Sequence, residues 1–267
     1  MKLLFRRTLC AALLLSILPN AASAATPDAL PYPAIASALA IPVETGLPRA
    51  SQIPMRGRYV LVDAASARLF MIEDGRVHDS MRVIVGKPAA ATPELNSNLH
   101  YATLNPYWNV PTDLAQTIIA PRVVKQGVSY LRERGYQIVS GFAASAQVLP
   151  AESVDWEAVA DGRAKVHVRQ LPGPANSMGQ IKFGLADSKG IFLHDTPNKD
   201  LFAEAERNLS NGCVRLEDAP RFARWLIGHD PALSSTAPEQ HVRLPRSVPI
   251  AITYLDEQAQ SQFAALR

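Results

Sequence analysis

The pattern of hydrophobic and polar positions is typical of β-strands along residues 58–86. Two apolar, β-rich segments precede Asp74 and Gly75, and a third segment follows them. An Asp-Gly pair between such segments is a hairpin turn signal. We therefore predict a meander of three strands. A loop is expected over residues 87–98, which are rich in proline and small polar residues, and a short strand over residues 100–104.

The strand pattern is interrupted over residues 111–170. Apolar positions have helical spacing along residues 112–135, and Pro121 divides this stretch into two predicted short helices. A capped helical turn is expected around Trp156. We interpret the interruption as a helical insertion over the sheet, which acts either as a lid near a site or as the cover of a sheet edge.

The strand pattern resumes at the end of the insertion and continues almost to the end of the chain. Strands are predicted over four segments, residues 165–170, 180–185, 190–194 and 248–255. Between the last two we expect an amphipathic helix over residues 199–207, followed by a helix capped by Asp218 and ended by Gly228. The fold class is therefore mostly β with a few short helices, in a domain long enough to bury one core.

The two ends of the chain differ from this domain. Residues 1–24 have the features of a secretory signal peptide: a basic start, an apolar stretch too short to span a bilayer, and an Ala-Ser-Ala cleavage site. Residues 25–56, rich in Ala and Pro, are predicted to be an arm or linker, and residues 257–267 a polar tail. We therefore expect an exported, periplasmic protein with no membrane-spanning helix.

Charge and composition disfavour several classes of function. The chain has a net charge of +3, but the signal-like segment contains the whole excess, so the remainder gives no support for a nucleic-acid-binding surface. No metal site and no cofactor are predicted, because a glycine-rich phosphate loop is missing and five histidines lack the spacing of ligands: His78, His100, His167, His229 and His241.

Cys213 is the candidate nucleophile. Cys10 lies in the signal-like segment, so Cys213 would be the only thiol of the mature protein. Gly212 lets a substrate approach the backbone, and the N–H groups of the turn at residues 210–212 can converge as an oxyanion hole. Arg215 adds positive charge that favours a thiolate. The alternative is a buried, inert cysteine or an intermolecular bridge.

His194 and an aromatic pair are the other candidates. His194 ends an apolar strand, where its ring can project from the sheet as a base for Cys213, although a lone histidine after an apolar run more often has a structural role. Tyr107 and Trp108 lie in a rigid segment between prolines. They form either a turn whose rings cover the core or one wall of a substrate groove.

The segments around His194 and Cys213, LHDTP and SNGCVRL, resemble the signature of the YkuD-type L,D-transpeptidases. That signature is a His followed after a variable stretch by Ser-x-Gly-Cys-x-Arg. Four segments are also similar to the large enterobacterial branch of that family, which carries a capping insertion: RVIVGKPAAATP, NPYWNVPTDLA, PGPANSMGQIKF and LFAEAERNLSNGCVR. The resemblance covers about residues 58–255. It implies the β-sandwich-like catalytic fold of the family over residues 57–256, with residues 111–170 as a helical cap.

The resemblance also implies roles at the cysteine. Cys213 would be the nucleophile and His194 the general base, with Asp195 orienting the imidazole unless a backbone carbonyl does so. The N–H groups of Gly212 and Cys213 would stabilise the oxyanion, supported by Ser210. Many relatives have a second histidine directly before the Gly-Cys pair, where this chain has Asn211. His194 would then be the single base of the site.

For the remaining residues and the reaction, the resemblance implies the following. Arg215 would hold the turn or a substrate carboxylate, and Tyr107 and Trp108 would face the donor groove. Cys213 would attack a peptidoglycan tetrapeptide stem, release D-alanine and pass the acyl group to an amine of a second stem, which makes a 3→3 cross-link without any cofactor. Carbapenems would acylate the same sulfur.

Three alternatives stay open beside this reaction. Water as acceptor would make the protein an L,D-carboxypeptidase that trims tetrapeptides. A catalytically silent wall-binding module is a second alternative, which the presence of both Cys213 and His194 disfavours. A thiol protease of another fold is disfavoured by the mostly β pattern and by the lack of a clear Asn or Asp partner.

Overall fold

A computed structural model describes residues 56–186, 190–234 and 236–265. The predicted signal peptide, nearly all of the predicted arm and the last two residues of the predicted tail lie outside the described residues.

The described residues are rich in strands, which confirms the mostly β prediction. In chain order the strands are β1 (Arg58–Asp63), β2 (Arg68–Glu73), β3 (Arg76–Gly86), β4 (Leu95–Leu104), β5 (Trp108–Asn109), β6 (Tyr136–Val139), β7 (Val148–Leu149), β8 (His167–Gln170), β9 (Ile181–Leu185), β10 (Leu193–His194), β11 (Asn208–Ser210), β12 (Val214–Leu216) and β13 (Gln240–Thr253).

Helical segments are short and connect these strands. They are α1 (Thr112–Leu114), a π-helical turn (Ala115–Ile119), α2 (Ala120–Gln126), α3 (Ser129–Glu133), α4 (Trp156–Ala160), α5 (Ala219–Ile227) and α6 (Glu257–Ala264), with 3₁₀ turns at Pro88–Ala90, Ala151–Ser153 and Lys199–Ala203.

The larger sheet closes on itself. Its nine described strands follow the order β11-β3-β12-β10-β9-β4-β13-β1-β2, and β2 also pairs with β3. The closure is possible because β3 is long: its first part pairs with β2, whereas Val83 and Ile84 pair with β12. The predicted three-strand meander is thus confirmed as one part of a closed sheet.

The main core lies inside this curved sheet and beneath α5. Side chains that point inward alternate with outward-pointing ones along each strand, as the two-residue period of a strand requires. Phe183 of β9 meets Phe222 of α5 edge to face, with ring centroids 4.9 Å apart. Asp218 caps α5 through the N–H of Arg221, and Gly228 ends it in the left-handed conformation, both as predicted.

Pairing extends several strands beyond their predicted bounds. The predicted loop at residues 87–98 is wrong at its end, because β4 begins at Leu95, which pairs with Ile252 of β13. Likewise β13 begins at Gln240, well before the predicted residue 248, and bulges between Arg243 and Val248. A partner strand supplies hydrogen bonds to polar segments that local composition alone would leave as loops.

Two helix predictions also need correction. Pro121 does not interrupt its helix: it lies in the first turn of α2, directly after the π-helical turn, where its missing N–H is tolerated. The break falls at Gly127, with φ +79°. The helix predicted at residues 199–207 is only a 3₁₀ turn, because the chain soon becomes extended to pair β11 with β3.

The inserted region, which strand pairing extends to residues 108–170, is not only helical as predicted, although the strand expected at residues 165–170 is present as β8. It has its own four-stranded sheet in the order β5-β8-β6-β7 and its own apolar core. Trp156 and Val168 are buried in this core together with side chains of α2 and α3. Strand pairing within the segment explains the error, because two-residue strands such as β5 and β7 leave no readable alternation.

Candidate active site

Three of the predicted site residues share one face of the larger sheet. Leu193 and Val214 point into the main core, so their neighbours His194 and Arg215 point to the opposite face. His194 and Arg215 are also paired across β10 and β12. Cys213 lies two positions before Arg215 and therefore on the same side. The fold thus brings together the histidine, the arginine and the cysteine that the sequence singled out.

Ser210 shapes the turn that presents Cys213. Its buried hydroxyl donates to the carbonyl oxygen of Cys213 at 2.6 Å and accepts the N–H of Gly212 at 3.1 Å. Gly212 has φ +113°, a conformation that side chains rarely allow. The predicted supporting role of Ser210 is therefore a concrete one, since it closes the loop around the cysteine.

The same contact changes the prediction for the oxyanion hole. The Gly212 N–H is already donated to Ser210, so it is not aimed at a substrate. Within the described part of the chain, the Cys213 N–H has no acceptor and is the better-placed donor. Asn211, which stands where many relatives have histidine, is exposed.

Thr92 supports the turn from behind, and sequence reasoning missed it. Its buried hydroxyl donates to the carbonyl of Gly212 and accepts the N–H of Gly86, both at 2.8 Å. A Cβ on Gly86 would lie 2.1 Å from the carbonyl oxygen of Ala90, so only glycine fits there. Thr92 lies within one of the segments that carry the resemblance, but nothing in its pattern connects it to Gly212.

Cys213 is partly exposed as a residue, and its sulfur is hydrogen-bonded to the backbone. Its Sγ donates to the carbonyl of Gly190 at 3.8 Å. Burial raises the pKa of the thiol above its usual value, although a backbone hydrogen bond from Phe192 and the charge of Arg215 both lower it. Arg215 therefore acts in the predicted direction, but desolvation outweighs it and the resting group is a thiol rather than a thiolate.

His194 is buried and uncharged. Its pKa is lowered to about 4: desolvation is the largest cause, the charges of Arg215 and Lys182 add to it, and Asp195 opposes it. Its Nδ1 lies 2.5 Å from the carbonyl oxygen of Asp195. Because a carbonyl can only accept, Nδ1 carries the proton and Nε2 keeps its lone pair. His194 is thus a neutral imidazole with one nitrogen available as a base.

Asp195 orients the histidine through its backbone and not through its carboxylate, which corrects the first of our two alternatives. The carboxylate instead pairs with Lys199 Nζ at 2.6 Å and accepts the N–H of Gln180 at 2.9 Å. A Cβ on Gly179, where φ is +62°, would lie 2.4 Å from the Asp195 carboxylate. Asp195 therefore holds the start of β9 against the end of β10, the strand of His194.

Arg215 has no acidic partner among the described ion pairs. Its Nε is buried and lacks a hydrogen-bond partner in the described residues, and desolvation lowers its pKa. An unpaired guanidinium in a partly buried place is costly, and a carboxylate ligand would relieve that cost. This cation lies next to the candidate nucleophile, and desolvation of the guanidinium is partly offset by the charge of Cys213.

Tyr107 and Trp108 are half-buried, and no described contact joins them to Cys213. The ring of Tyr107 lies 4.3 Å from the Arg169 guanidinium, in a cation–π contact. Trp108 packs against Tyr136, with ring centroids 6.2 Å apart, in the core of the inserted region. For Trp108 the geometry favours the first alternative, a ring that covers a core, and a groove wall stays a prediction.

No cluster of His, Cys, Asp and Glu side chains in the described ranges could hold a metal ion. Among the helices that the structure describes, none has the length and the apolar character needed to cross a membrane.

Residues 57–233 match the family model described as YkuD, the L,D-transpeptidase catalytic domain. The chain belongs to this family. The match includes both His194 and Cys213, and it ends before β13, which completes the larger sheet. A protein of Haemophilus influenzae provisionally named an L,D-transpeptidase is 35% identical to this chain over 168 residues, which are 63% of this chain and 33% of that protein. The chain thus spans about a third of the length of this relative.

Solved structures of L,D-transpeptidases are also similar to this YkuD protein, at low identity. One from Mycobacterium smegmatis has 14% identity and a TM-score of 0.32, and the match covers 73% of this chain and 58% of that one. L,D-transpeptidase 3 from Mycobacterium tuberculosis has 12% identity and a TM-score of 0.36, with 73% and 60% covered. The family assignment rests on the family model.

Proposed function

We propose that this protein is a peptidoglycan L,D-transpeptidase that forms 3→3 cross-links through a thioester on Cys213. The observation that carries the proposal is the neutral His194, whose Nδ1 is held by a backbone carbonyl and whose Nε2 is left as a base on the face that presents the thiol. Family membership supports the reaction class, and the pairing of neutral thiol with neutral imidazole indicates how the proton moves.

In the first step, Nε2 of His194 takes the proton from Cys213 as Sγ attacks the carbonyl carbon at the L-centre of the diamino acid in a tetrapeptide stem. The Cys213 N–H stabilises the oxyanion. The bond to the terminal D-alanine then breaks, and its amine leaves with the proton from His194. A thioester remains on the sulfur. A thiol with a raised pKa needs such a base, because it ionises little by itself at neutral pH.

In the second step, an amine of a neighbouring stem attacks the thioester carbonyl. His194 takes a proton from that amine and returns it to the departing sulfur, so the enzyme is regenerated and an amide joins the two stems. Water in place of the amine would give the trimmed tripeptide, as in an L,D-carboxypeptidase. Arg215 is proposed to bind a carboxylate of the donor stem, since its guanidinium lacks an acidic partner in the described residues.

This function fits the export expected from residues 1–24, because peptidoglycan lies outside the cytoplasm. We therefore place the enzyme in the periplasm, at the cell wall. Export is tested by comparing the mass of the protein recovered from a periplasmic extract with that of the chain lacking residues 1–24.

The test is mass spectrometry of the products made from a defined disaccharide-tetrapeptide. The wild-type protein is expected to release D-alanine and to form cross-linked dimers, and Cys213→Ala to do neither, a loss on the order of 10³-fold or more. His194→Gln should lose about 10²- to 10⁴-fold. His229→Gln is the matched control, because exposed His229 also has Nδ1 against the next residue's carbonyl, at 3.0 Å.

Other outcomes decide between the alternatives. Tripeptide without dimers would identify an L,D-carboxypeptidase. If the wild-type protein released no D-alanine and gained no mass at Cys213 after exposure to a carbapenem, the proposal would be overturned in favour of a silent wall-binding module.

A further inference from the structure

Lys182 is the nearest cross-strand neighbour of His194 on the side away from Arg215. It pairs with His194 across β9 and β10, so both side chains lie on the same face of the sheet. The next residue, Phe183, points into the main core, as does Leu193 beside His194. His194 therefore stands in a row between two cations, Arg215 on one side and Lys182 on the other.

The position of the Lys182 ammonium is fixed by Glu239. Nζ lies 3.6 Å from Glu239 Oε1, and the lysine side chain is only 16% exposed. Nζ also lies 5.4 Å from the centre of the Phe192 ring. These contacts keep the charge close to β10 and limit its freedom to move into solvent.

Glu239 is itself held by the segment that leads into the inserted region. The same Oε1 accepts the backbone N–H of Tyr107 at 2.6 Å. The Glu239 backbone has φ +52°, and its N–H donates to the carbonyl of Asn105 at 2.9 Å. The carboxylate therefore has a defined place, and it is shared between the lysine and the Tyr107 backbone.

We propose that Lys182, anchored by Glu239, is a positioning residue that weakens the hold of His194 on a proton, so that the imidazolium formed from the thiol proton gives that proton readily to the leaving amine. This inference rests on the proposed transfer reaction for its purpose. The placement of the two side chains on one face does not depend on that reaction.

The other charged groups around His194 do not make Lys182 redundant. The carboxylate of Asp195 favours a charged imidazole, and its ion pair with Lys199 weakens this effect without removing it. Arg215 opposes protonation in the resting protein, yet a substrate carboxylate bound to Arg215 would cancel much of that effect. Once substrate is bound, Lys182 is then the cation that still opposes protonation of His194, even though Glu239 weakens its field.

The direct test is a nuclear magnetic resonance titration of the His194 ring in the mature protein, labelled at histidine. Lys182→Met should raise the pKa of His194 by about one pH unit, because a positive charge is removed beside a buried base. Lys182→Arg keeps the charge and should titrate as the wild type does. Lys125→Met, which removes an exposed lysine on α2, is the matched control and should change nothing.

Three results would overturn the inference. The first is a His194 titration in Lys182→Met that coincides with the wild type. The second is a His194 pKa that rises in Lys182→Arg as much as in Lys182→Met, and the third is a His194 pKa that rises in Lys125→Met. If Lys182→Met does not fold, as judged by its melting curve, Lys182→Gln replaces it with the same expectation.

Activity provides a second readout that a merely structural role would not reproduce. In Lys182→Met the acid limb of the pH profile of kcat/KM should move up by the same amount as the His194 titration, while the plateau at high pH stays within about twofold of wild type. An unmoved acid limb would contradict the inference. The titration needs no transferase activity, so a protein that shows the shift but makes no cross-link would contradict the proposed function alone.

Discussion

The inserted region and the cysteine edge are stabilised by different contacts. The cysteine edge is the part of the larger sheet around the Cys213 turn, formed by Thr92, His194 and residues 210–215. The inserted region packs apolar and aromatic side chains, Trp156 and Val168 among them, into a core of its own. At the cysteine edge the important groups are polar and buried: Ser210, Thr92 and His194 are each nearly inaccessible to water, and each is held by backbone atoms.

The difference matters because the two kinds of contact respond differently to change. Apolar packing loses free energy gradually as atoms are removed, whereas a buried polar group fails when one partner is lost. The cysteine edge also holds an unpartnered Arg215 Nε and a histidine kept neutral against its ordinary tendency. We expect substitutions in the inserted region to change stability first, and substitutions at the cysteine edge to change chemistry first.

The largest effect on stability is expected from Trp156→Ala. Trp156 is 8% exposed, and its Nε1 donates to the carbonyl of Ala151 at 2.9 Å. Its removal should destabilise the inserted region by about 3–5 kcal/mol, measured by hydrogen exchange of the amides of β6 and β8. The rate of alkylation of Cys213 should stay unchanged. Phe222→Ala, in the main core, is the comparison. An equal change in the rate of Cys213 alkylation in both variants would contradict the distinction between the inserted region and the cysteine edge.

A pH effect of roughly 3 kcal/mol is expected from His194 alone. Its pKa is about 4 in the folded protein and 6.5 in the unfolded chain, so the unfolded state binds the proton first. The associated stability is fully present above pH 6.5 and is lost as the pH falls towards 4. Urea unfolding at pH 7 and pH 4.5 should show this loss in the wild type.

The comparison between histidines isolates this effect. His194→Gln should lose less stability than the wild type between the two pH values, whereas His229→Gln, at an exposed position, should behave like the wild type. Identical pH dependence in the wild type and His194→Gln would show that the buried histidine is not held neutral.

A smaller effect is expected from Thr92→Val, which keeps the shape of the side chain. The N–H of Gly86 and the carbonyl of Gly212 would both lose a partner, at a cost of about 1–3 kcal/mol. Because the Cys213 turn loosens, kcat should fall as well. Thr117→Val in the inserted region removes an exposed hydroxyl bonded to the Asp113 carbonyl and should change stability by no more than about 0.5 kcal/mol. An equal loss of stability in Thr92→Val and Thr117→Val would argue against a role of Thr92 in supporting the Cys213 turn.

The smallest effect on stability, and one of opposite sign, is expected from Arg215→Met. Removing a partly desolvated cation that has no acidic partner among the described residues should leave stability unchanged or raise it by up to about 1 kcal/mol. The rate of D-alanine release should fall at the same time, mainly through KM. Thermal melting together with the D-alanine assay checks both, and a clear loss of stability would mean that Arg215 holds the turn instead of a substrate.

Much of the fold could be read from local patterns, and the misses have a common cause. The β1–β3 meander and the cap and end of α5 depend on turn and capping signals a few residues apart, and these predictions are confirmed. The extent of β13 and the strands of the inserted region depend on partners far along the chain. A strand that obtains its hydrogen bonds from a distant segment need not show a regular alternation of its own.

For the site, the sequence by itself singled out the candidate side chains: one thiol in a glycine turn, one histidine at the end of an apolar strand, and an arginine two positions after the cysteine. Only the tertiary structure decided their states. Burial made the thiol a weaker acid and the histidine a neutral base. Pairing of β9, β10 and β12 placed His194 between Lys182 and Arg215, because neighbouring strands bring together residues that no local pattern connects.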